Sequence, residues 1–242
     1  VGWIQFHRPE VRNAVNLQMM EELEQVLEAW EKDGEIRVVV LTGDTKAFVA
    51  GGDVAQFHIM NGEEIFSVMK RMGRILERLA SLDKVTVAAV EGPAVGGGCE
   101  IAASCDICLA SENALFGMIQ VTLGITTGWG GGARLIRKIG TARALELLLT
   151  GERISAGKAW RLGLVDHLIS RERFAEEVQA FAERIAQAPA AVIRAYKQVA
   201  RAVSAGASEA ELTELEAKHC ASLWGSEEHH RAVEAFLKRT RT

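Results

Sequence analysis

Three consecutive glycines, Gly96-Gly97-Gly98, stand immediately before Cys99 and Glu100, and an apolar run, Val85-Thr86-Val87-Ala88-Ala89-Val90, lies just upstream of them. The run reads as a buried strand, and Glu100 to Ser104 reads as helix. A strand that turns through glycines into a helix leaves bare backbone N–H groups at a helix N-terminus, where negative charge is favoured. Glu100, three residues past the middle glycine, adds an acid/base group beside them. A second strand exit into a small-residue loop is Ala47-Phe48-Val49-Ala50-Gly51-Gly52-Asp53-Val54. If each cluster aims one N–H at a common point, the pair stabilises a tetrahedral or enolate oxyanion. In a comparable hole, losing one side-chain donor costs roughly 3–4 kcal/mol. The plainer reading is that both clusters are tight turns and that Glu100 only complements a helix dipole.

Other chemistry is excluded. Gly157-Lys158 lacks the spacing and hydroxyl residue of a phosphate loop, neither glycine cluster is G-x-G-x-x-G with an acid about 20 residues on, and there is no G-x-S-x-G. His229-His230 with Glu227 and Glu228 reads as a charged patch. His7, His58, His167 and His219 show no ligand spacing, so no metal is expected. Cys105 and Cys108 have the spacing of half a redox or zinc site, but they sit in an apolar strand-like run with no second pair. They read as buried, reduced thiols.

The elements that must position Glu100 and the glycines follow from hydrophobic period. Val1 to His7 alternates like an opening strand. Leu17, Met20, Leu23, Val26, Leu27 and Trp30 mark a helix with Asn16 as N-cap. Arg37 to Leu41 is a β-branched strand, and Ile65 to Leu79 carries a second long helix. Short strands are expected at Asp106–Ala110 and Ala114–Phe116, and Gly128-Trp129-Gly130-Gly131-Gly132 opens a helix over Ala133–Ile139. Strands and helices alternate to about residue 168, which predicts an α/β class. Helices follow at about 171–187, 190–204, 208–223 and 227–239, with Ala188-Pro189 as a break.

The 242 residues carry 48% apolar and 25% charged residues and a net charge of −4. That charge gives no general case for nucleic acid or an anionic membrane. No run approaches the roughly 18 apolar residues of a membrane span, and no secretory n-region or h-region is visible. Four cysteines without such a signal fit the cytosol, so a cytoplasmic location is expected.

These motifs together resemble the crotonase (enoyl-CoA hydratase/isomerase) superfamily. The likeness runs over nearly the whole length: His7-Arg8-Pro9-Glu10-Val11-Arg12-Asn13-Ala14-Val15-Asn16, then Ala47 to Asp53, Gly92 to Glu100 and Ser104 to Ile107. It continues through Phe116-Gly117, Leu123-Gly124-Ile125, Leu149-Thr150-Gly151-Glu152, Ala159 to Val165 and Glu234 to Arg239. The resemblance implies a ββα-spiral core over residues 1–188 and a helical C-terminal trimerisation part over 189–242. It implies a homo-trimer or hexamer and an acyl-CoA thioester substrate, with coenzyme A entering as part of that substrate and no other cofactor. By family pattern the oxyanion hole is the N–H groups of Gly52 and Gly97. Arg12, Ala50, Asp53 and Val54 line the adenine pocket, and Phe236 and Arg239 fall where the family's tail reaches CoA, often that of a neighbouring subunit. Met60, Phe66, Met118 and Trp129 are candidates for an apolar acyl pocket, and each equally suits packing.

One departure matters. Family hydratases carry two glutamates. The first matches Glu100, whereas the second position, after Phe116-Gly117, is Gln120, preceded by Ile119 in place of proline. Gln120 can orient a water through its amide but cannot exchange a proton near neutral pH. Double-bond isomerisation is therefore disfavoured. Hydration with Glu100 shuttling a single proton is the first expectation, with Gln120 positioning the water. The alternatives are other enolate reactions on CoA thioesters (hydrolysis, decarboxylation, carbon–carbon lysis) or a weakly active CoA-thioester-binding subunit. The added bulk of Trp129 either narrows the acyl pocket or packs on the glycine-rich turn.

Overall fold

The computed structural model describes residues 1–239. Its first half runs β1 (Gly2–Gln5), α1 (Leu17–Lys32), β2 (Val38–Thr42), α2 (Val54–Phe57), α3 (Gly62–Ser81), β3 (Val85–Val90), β4 (Ala94–Val95), α4 (Gly97–Ser104) and β5 (Ile107–Ser111). There follow β6 (Leu115–Gly117), a 3-10 turn at Ile119–Leu123, α5 (Gly131–Ile139), α6 (Thr141–Thr150), β7 (Arg153–Ser155), α7 (Ala156–Leu162) and β8 (His167–Ile169). The rest is helical: α8 (Phe174–Ala186), α9 (Ala190–Ser204), α10 (Glu209–Trp224) and α11 (Glu227–Arg239). No described helix is long and apolar enough to cross a membrane.

Five strands form a parallel sheet in the order β1-β2-β3-β5-β8, and β4-β6-β7 form a smaller mixed sheet. The central strands β2, β3 and β5 are buried on both faces, as parallel strands covered by helices must be, whereas the edge strands β1 and β8 are partly exposed. Alternation along each strand divides the core. Val39, Leu41, Ala88, Val90, Cys108 and Ala110 pack with side chains of α1, α3 and α4, whereas Val38, Val40, Val87, Ala89 and Leu109 meet Phe174, Val178 and Ala182 of α8. The first helix begins as its sequence asks, with the Asn16 side chain accepting from the Met19 N–H at 2.9 Å.

Polar anchors join the helical part to the sheet. Buried Lys197 on α9 donates to both oxygens of Asp106 at 2.6 Å and to the Ala80 carbonyl at 3.1 Å. Asp106 Oδ2 in turn accepts from the N–H and hydroxyl of Thr86. Cys99, Cys105 and Cys108 are buried free thiols, and Cys220 is exposed.

Elements match the sequence reading at β3 and α9, bound for bound. Two differences bear on the site. Helix α4 starts at Gly97 rather than Glu100, so the glycines themselves form its first turn. Helices α2 and α6 have no counterpart in the reading from periodicity, because α2 is four residues long and α6 is framed by glycines at both ends.

Candidate active site

Two segments bring the glycine turns together. Strand β4 continues from β3, and Val49 and Ala94 pair as parallel neighbours, with the Val95 N–H donating to the Val49 carbonyl at 3.0 Å. Gly52 and Gly97 lie three residues beyond that pair on their respective segments. The turns are in contact: a Cβ on Gly51 would lie 3.4 Å from the Gly97 nitrogen. Gly96 adopts φ +57°, a conformation that favours glycine, and so lets the chain leave β4 and enter α4 at once. Among the described residues, neither the Gly52 nor the Gly97 N–H donates to a protein acceptor. For Gly97 this is the orphan donor that every helix N-terminus carries.

Asn13, with φ +60° and fully buried, holds the first of these segments. Its Nδ2 donates to the carbonyls of Ala47 at 2.8 Å and Phe48 at 3.3 Å, and its Oδ1 accepts from the Arg8 N–H at 2.8 Å. Arg8 Nη1 pairs with Asp53 Oδ2 at 2.9 Å, and Asp53 Oδ1 caps α2 through the Gln56 N–H. The Asp53 carboxylate thus has a structural task. Sequence reasoning assigned no role to Asn13. Its signals were a place in the His7–Asn16 motif and the residue type, since asparagine is among the few side chains that tolerate the left-handed region.

Glu100 projects from the fourth position of α4 and is only 2% exposed. Its Oε2 accepts from the N–H groups of Trp129 at 2.9 Å and Gly131 at 2.8 Å, while Oε1 accepts from Gln120 Nε2 at 3.0 Å. Gly131 opens α5, so the carboxylate lies at the N-terminal ends of two helices. Gly131 must be glycine for this: a Cβ there would come within 2.6 Å of Glu100 Cβ and 2.8 Å of its Oε2. Burial raises the Glu100 pKa above the ordinary carboxylate value, and the donors from Gly131, Trp129 and Gln120 only partly oppose it. A carboxyl with a raised pKa, next to a polar amide, is equipped to take and return a proton.

Gln120 is buried and its Oε1 has no hydrogen-bond partner among the described residues. The Trp129 indole, 3% exposed, presses on Gly97 so closely that a Cβ on that residue would overlap Cζ3 and Cη2, and its Cζ2 would lie 3.5 Å from a Cβ on Gly52. Arg134 Nη1 donates to the Trp129 carbonyl at 2.7 Å, a clamp that sequence reasoning did not anticipate.

The structure therefore gathers Gly52, Gly97, Glu100, Gln120 and Trp129. Other candidates lie apart or elsewhere. Met118 is fully buried against Cys99, Phe116 and Leu135, Met60 packs on the main core, and Phe66 is exposed on α3. Arg12, with φ +54°, accepts the Ala50 N–H on its carbonyl at 3.1 Å, and exposed Val54 begins α2. Phe236 and Arg239 lie on α11.

A buried carboxylate between helix N-termini, beside two unengaged N–H donors on an α/β spiral, has the parts of an acid/base site that can receive a developing oxyanion. The chain belongs to the enoyl-CoA hydratase/isomerase family, whose model matches residues 1–242. It is 37% identical over 239 residues to a probable enoyl-CoA hydratase of Rhizobium meliloti, covering 98% of this chain and 91% of the relative. It is 36% identical over 241 residues to the short-chain-enoyl-CoA hydratase of Clostridium acetobutylicum, covering 99% and 92%. The crystal structure of an enoyl-CoA hydratase from Bacillus anthracis superposes with a TM-score of 0.93 at 31% identity, covering 98% of this chain and 92% of that one. The crotonase-type fold expected from the sequence is thereby confirmed.

Proposed function

We propose that this protein is a hydro-lyase that adds water across the double bond of a 2-enoyl-CoA thioester. The thioester oxygen rests on the N–H groups of Gly52 and Gly97. Charge grows on that oxygen as the enolate forms, so the donors favour the transition state over the ground state. Glu100 takes a proton from water as the oxygen attacks the β-carbon and returns that proton to the α-carbon. One carboxylate thus does both tasks, and no net proton is gained or lost.

The observation that carries this reading is the pairing of Gln120 with Glu100. The amide's Nε2 is committed to Glu100 Oε1, while its buried Oε1 has no partner among the described residues. A water that donates one hydrogen to that oxygen and the other to Glu100 would satisfy an otherwise costly buried acceptor. Names of the relatives support the same reaction class. Arg12, Ala50, Asp53 and Val54, with Phe236 and Arg239 of the same or a neighbouring copy, are proposed to contact CoA. Residues 189–242 are proposed to assemble a trimer or hexamer, in the cytoplasm, around a spiral core of residues 1–188.

A second reading has one observation in its favour. Gln120 cannot exchange a proton, so a reaction that needs only one, delivered by Glu100 to an enolate left by carbon–carbon cleavage or decarboxylation, also uses these residues as they stand. Loss of enoyl-thioester absorbance with crotonyl-CoA, wild type against Glu100→Gln, separates the two. Turnover in the wild type that vanishes in the variant supports hydration. No wild-type turnover, with acyl-CoA still bound, overturns it and leaves the second reading. Gln120→Glu adds a further test, since a sharp rise in hydration rate shows that only a second acid/base group was lacking.

A further inference from the structure

We propose that Trp129 is the residue that sets acyl-chain length, its indole closing the acyl end of the site and confining the acyl group to a short chain. The inference rests on the reading above, in which Gly52 and Gly97 receive a thioester oxygen.

The edge of one six-membered ring presses on Gly97 and comes near Gly52. Cζ3 and Cη2 lie against the Cα of Gly97 where a side chain would begin, and Cζ2 approaches the same face of Gly52. Phe57 Cε2, 3.2 Å from a Cβ position on Gly52, extends the aromatic wall on that side. An acyl chain leaving a carbonyl held by these two N–H groups therefore meets this wall within its first few carbons.

Retreat of the backbone cannot relieve it. The Trp129 N–H is held by Glu100 at 2.9 Å and its carbonyl by Arg134 at 2.7 Å. Gly128 before it is packed on the Met69 side chain, and Gly130 after it has φ +85°. A withdrawal of the main chain would break the contact that fixes the Glu100 carboxylate. On the side of the Trp129 backbone carbonyl, near Gly73 and Arg134, lies a separate cleft of about 830 Å³ whose lining is largely charged, Lys70, Arg74, Glu77, Arg137 and Lys138 among it, and includes neither Gly52 nor Gly97. The wall that meets the acyl chain is therefore the indole itself, and removing it opens space over Gly97 without any shift of the main chain.

The test compares wild type with Trp129→Ala and the milder Trp129→Phe. Dissociation constants are measured by calorimetry for butyryl-CoA and decanoyl-CoA, which are saturated and need no turnover, alongside initial rates with crotonyl-CoA and 2-decenoyl-CoA. A chain that fits gains about fourfold in affinity per buried methylene, whereas a chain longer than the site must strain or pull its carbonyl off the glycine donors. Wild type is expected to bind butyryl-CoA at least tenfold tighter than decanoyl-CoA. Trp129→Ala is expected to reverse that order, and Trp129→Phe to fall between. A purely structural tryptophan would weaken both ligands alike and leave the ratio unmoved, which would overturn the proposal. So would a wild type that binds decanoyl-CoA as tightly as butyryl-CoA, a comparison that stands even if Trp129→Ala does not fold. Chain-length discrimination in binding with no hydration of either enoyl-CoA would overturn the hydratase reading and leave this one intact.

Discussion

Gln120 donates to Glu100 through the nitrogen of its amide, at 3.0 Å, and keeps its oxygen for something else. That orientation is the one an ionised Glu100 requires, since the amide oxygen would otherwise face carboxylate charge. Should Glu100 be protonated on Oε1, the amide gains by turning over and accepting. Gln120 is therefore both a fixed neighbour of the acid and a group whose best orientation depends on where the proton is.

Glu100→Gln is expected to reduce hydration by about 10²–10⁴-fold, the usual worth of a positioned acid/base group. Its effect on stability has the opposite sign. Burial holds the folded-state pKa of Glu100 above the unfolded value of roughly 4.3. Below that unfolded value both states are protonated and the group is neutral to folding. As pH rises, the unfolded chain ionises first, and stability is lost until the raised folded pKa is passed. The variant escapes that loss. Melting temperatures at pH 4 and pH 7.5 should show the variant gaining on wild type with rising pH. A gain on acidification would refute the assignment.

Gln120→Leu removes one of the donors that hold the Glu100 pKa down, so that pKa should climb further. The acid limb of the kcat profile should move to higher pH, and kcat should fall with KM little changed. A profile identical to wild type would show that the amide does not touch the reacting proton.

Gly97→Ala places a methyl group where the Trp129 ring already lies. Overpacking of this kind costs about 1–3 kcal/mol. Combining it with Trp129→Ala should recover most of that loss, a non-additivity read from urea unfolding of the two single variants and the double one. Strict additivity would mean that the two residues do not meet.

Lys197→Ala leaves the Asp106 carboxylate without the ammonium that contacts both of its oxygens at 2.6 Å. Asp106 keeps its contacts to Thr86 and some exposure to water, so the cost should be about 2–4 kcal/mol, below or near the lower end for a fully buried pair. Pairing Lys197→Met with Asp106→Asn should be markedly milder in the same unfolding measurement.

Thiol chemistry offers a check on the core. Burial pushes the Cys99 and Cys105 pKa values up to about 12 and raises that of Cys108 too, whereas Cys220 is exposed. Alkylation of the native protein near neutral pH should modify Cys220 alone, with the other three reacting on unfolding.

Strand β3, helix α9 and the Asn16 cap were all readable because local pattern and final structure agree there. Gly52, Gly97, Glu100 and Gln120 were legible as candidates, through the spacing of the glycine clusters and the family likeness, and the fold brings them together. Roles fixed by tertiary contact were not. Asn13 as the tie across Ala47 and Phe48 and Gly131 as the residue that admits Glu100 act on partners more than 30 residues away, and the Arg134 clamp on Trp129, five residues off, depends on a turn geometry that spacing does not reveal. Met118 shows the reverse limit. An apolar residue beside a site motif looks the same in sequence whether it lines a pocket or packs, as here, against Phe116 and Leu135.

The pairing of Val49 with Ala94 makes the separation of the two donors a matter of counting. Three residues on each segment lead from that pair to Gly52 and Gly97. Deleting one residue from 50–51 or from 95–96 would withdraw one N–H by about 3.3 Å, the rise of a single extended residue, while the other stayed in place. Length changes in the exposed run 121–126 leave that count unaltered and bear instead on Gln120 and Trp129, which the run connects. Whatever its outer turns do, the chain is held to a fixed number of residues along two short inner stretches whose side chains touch no reacting atom.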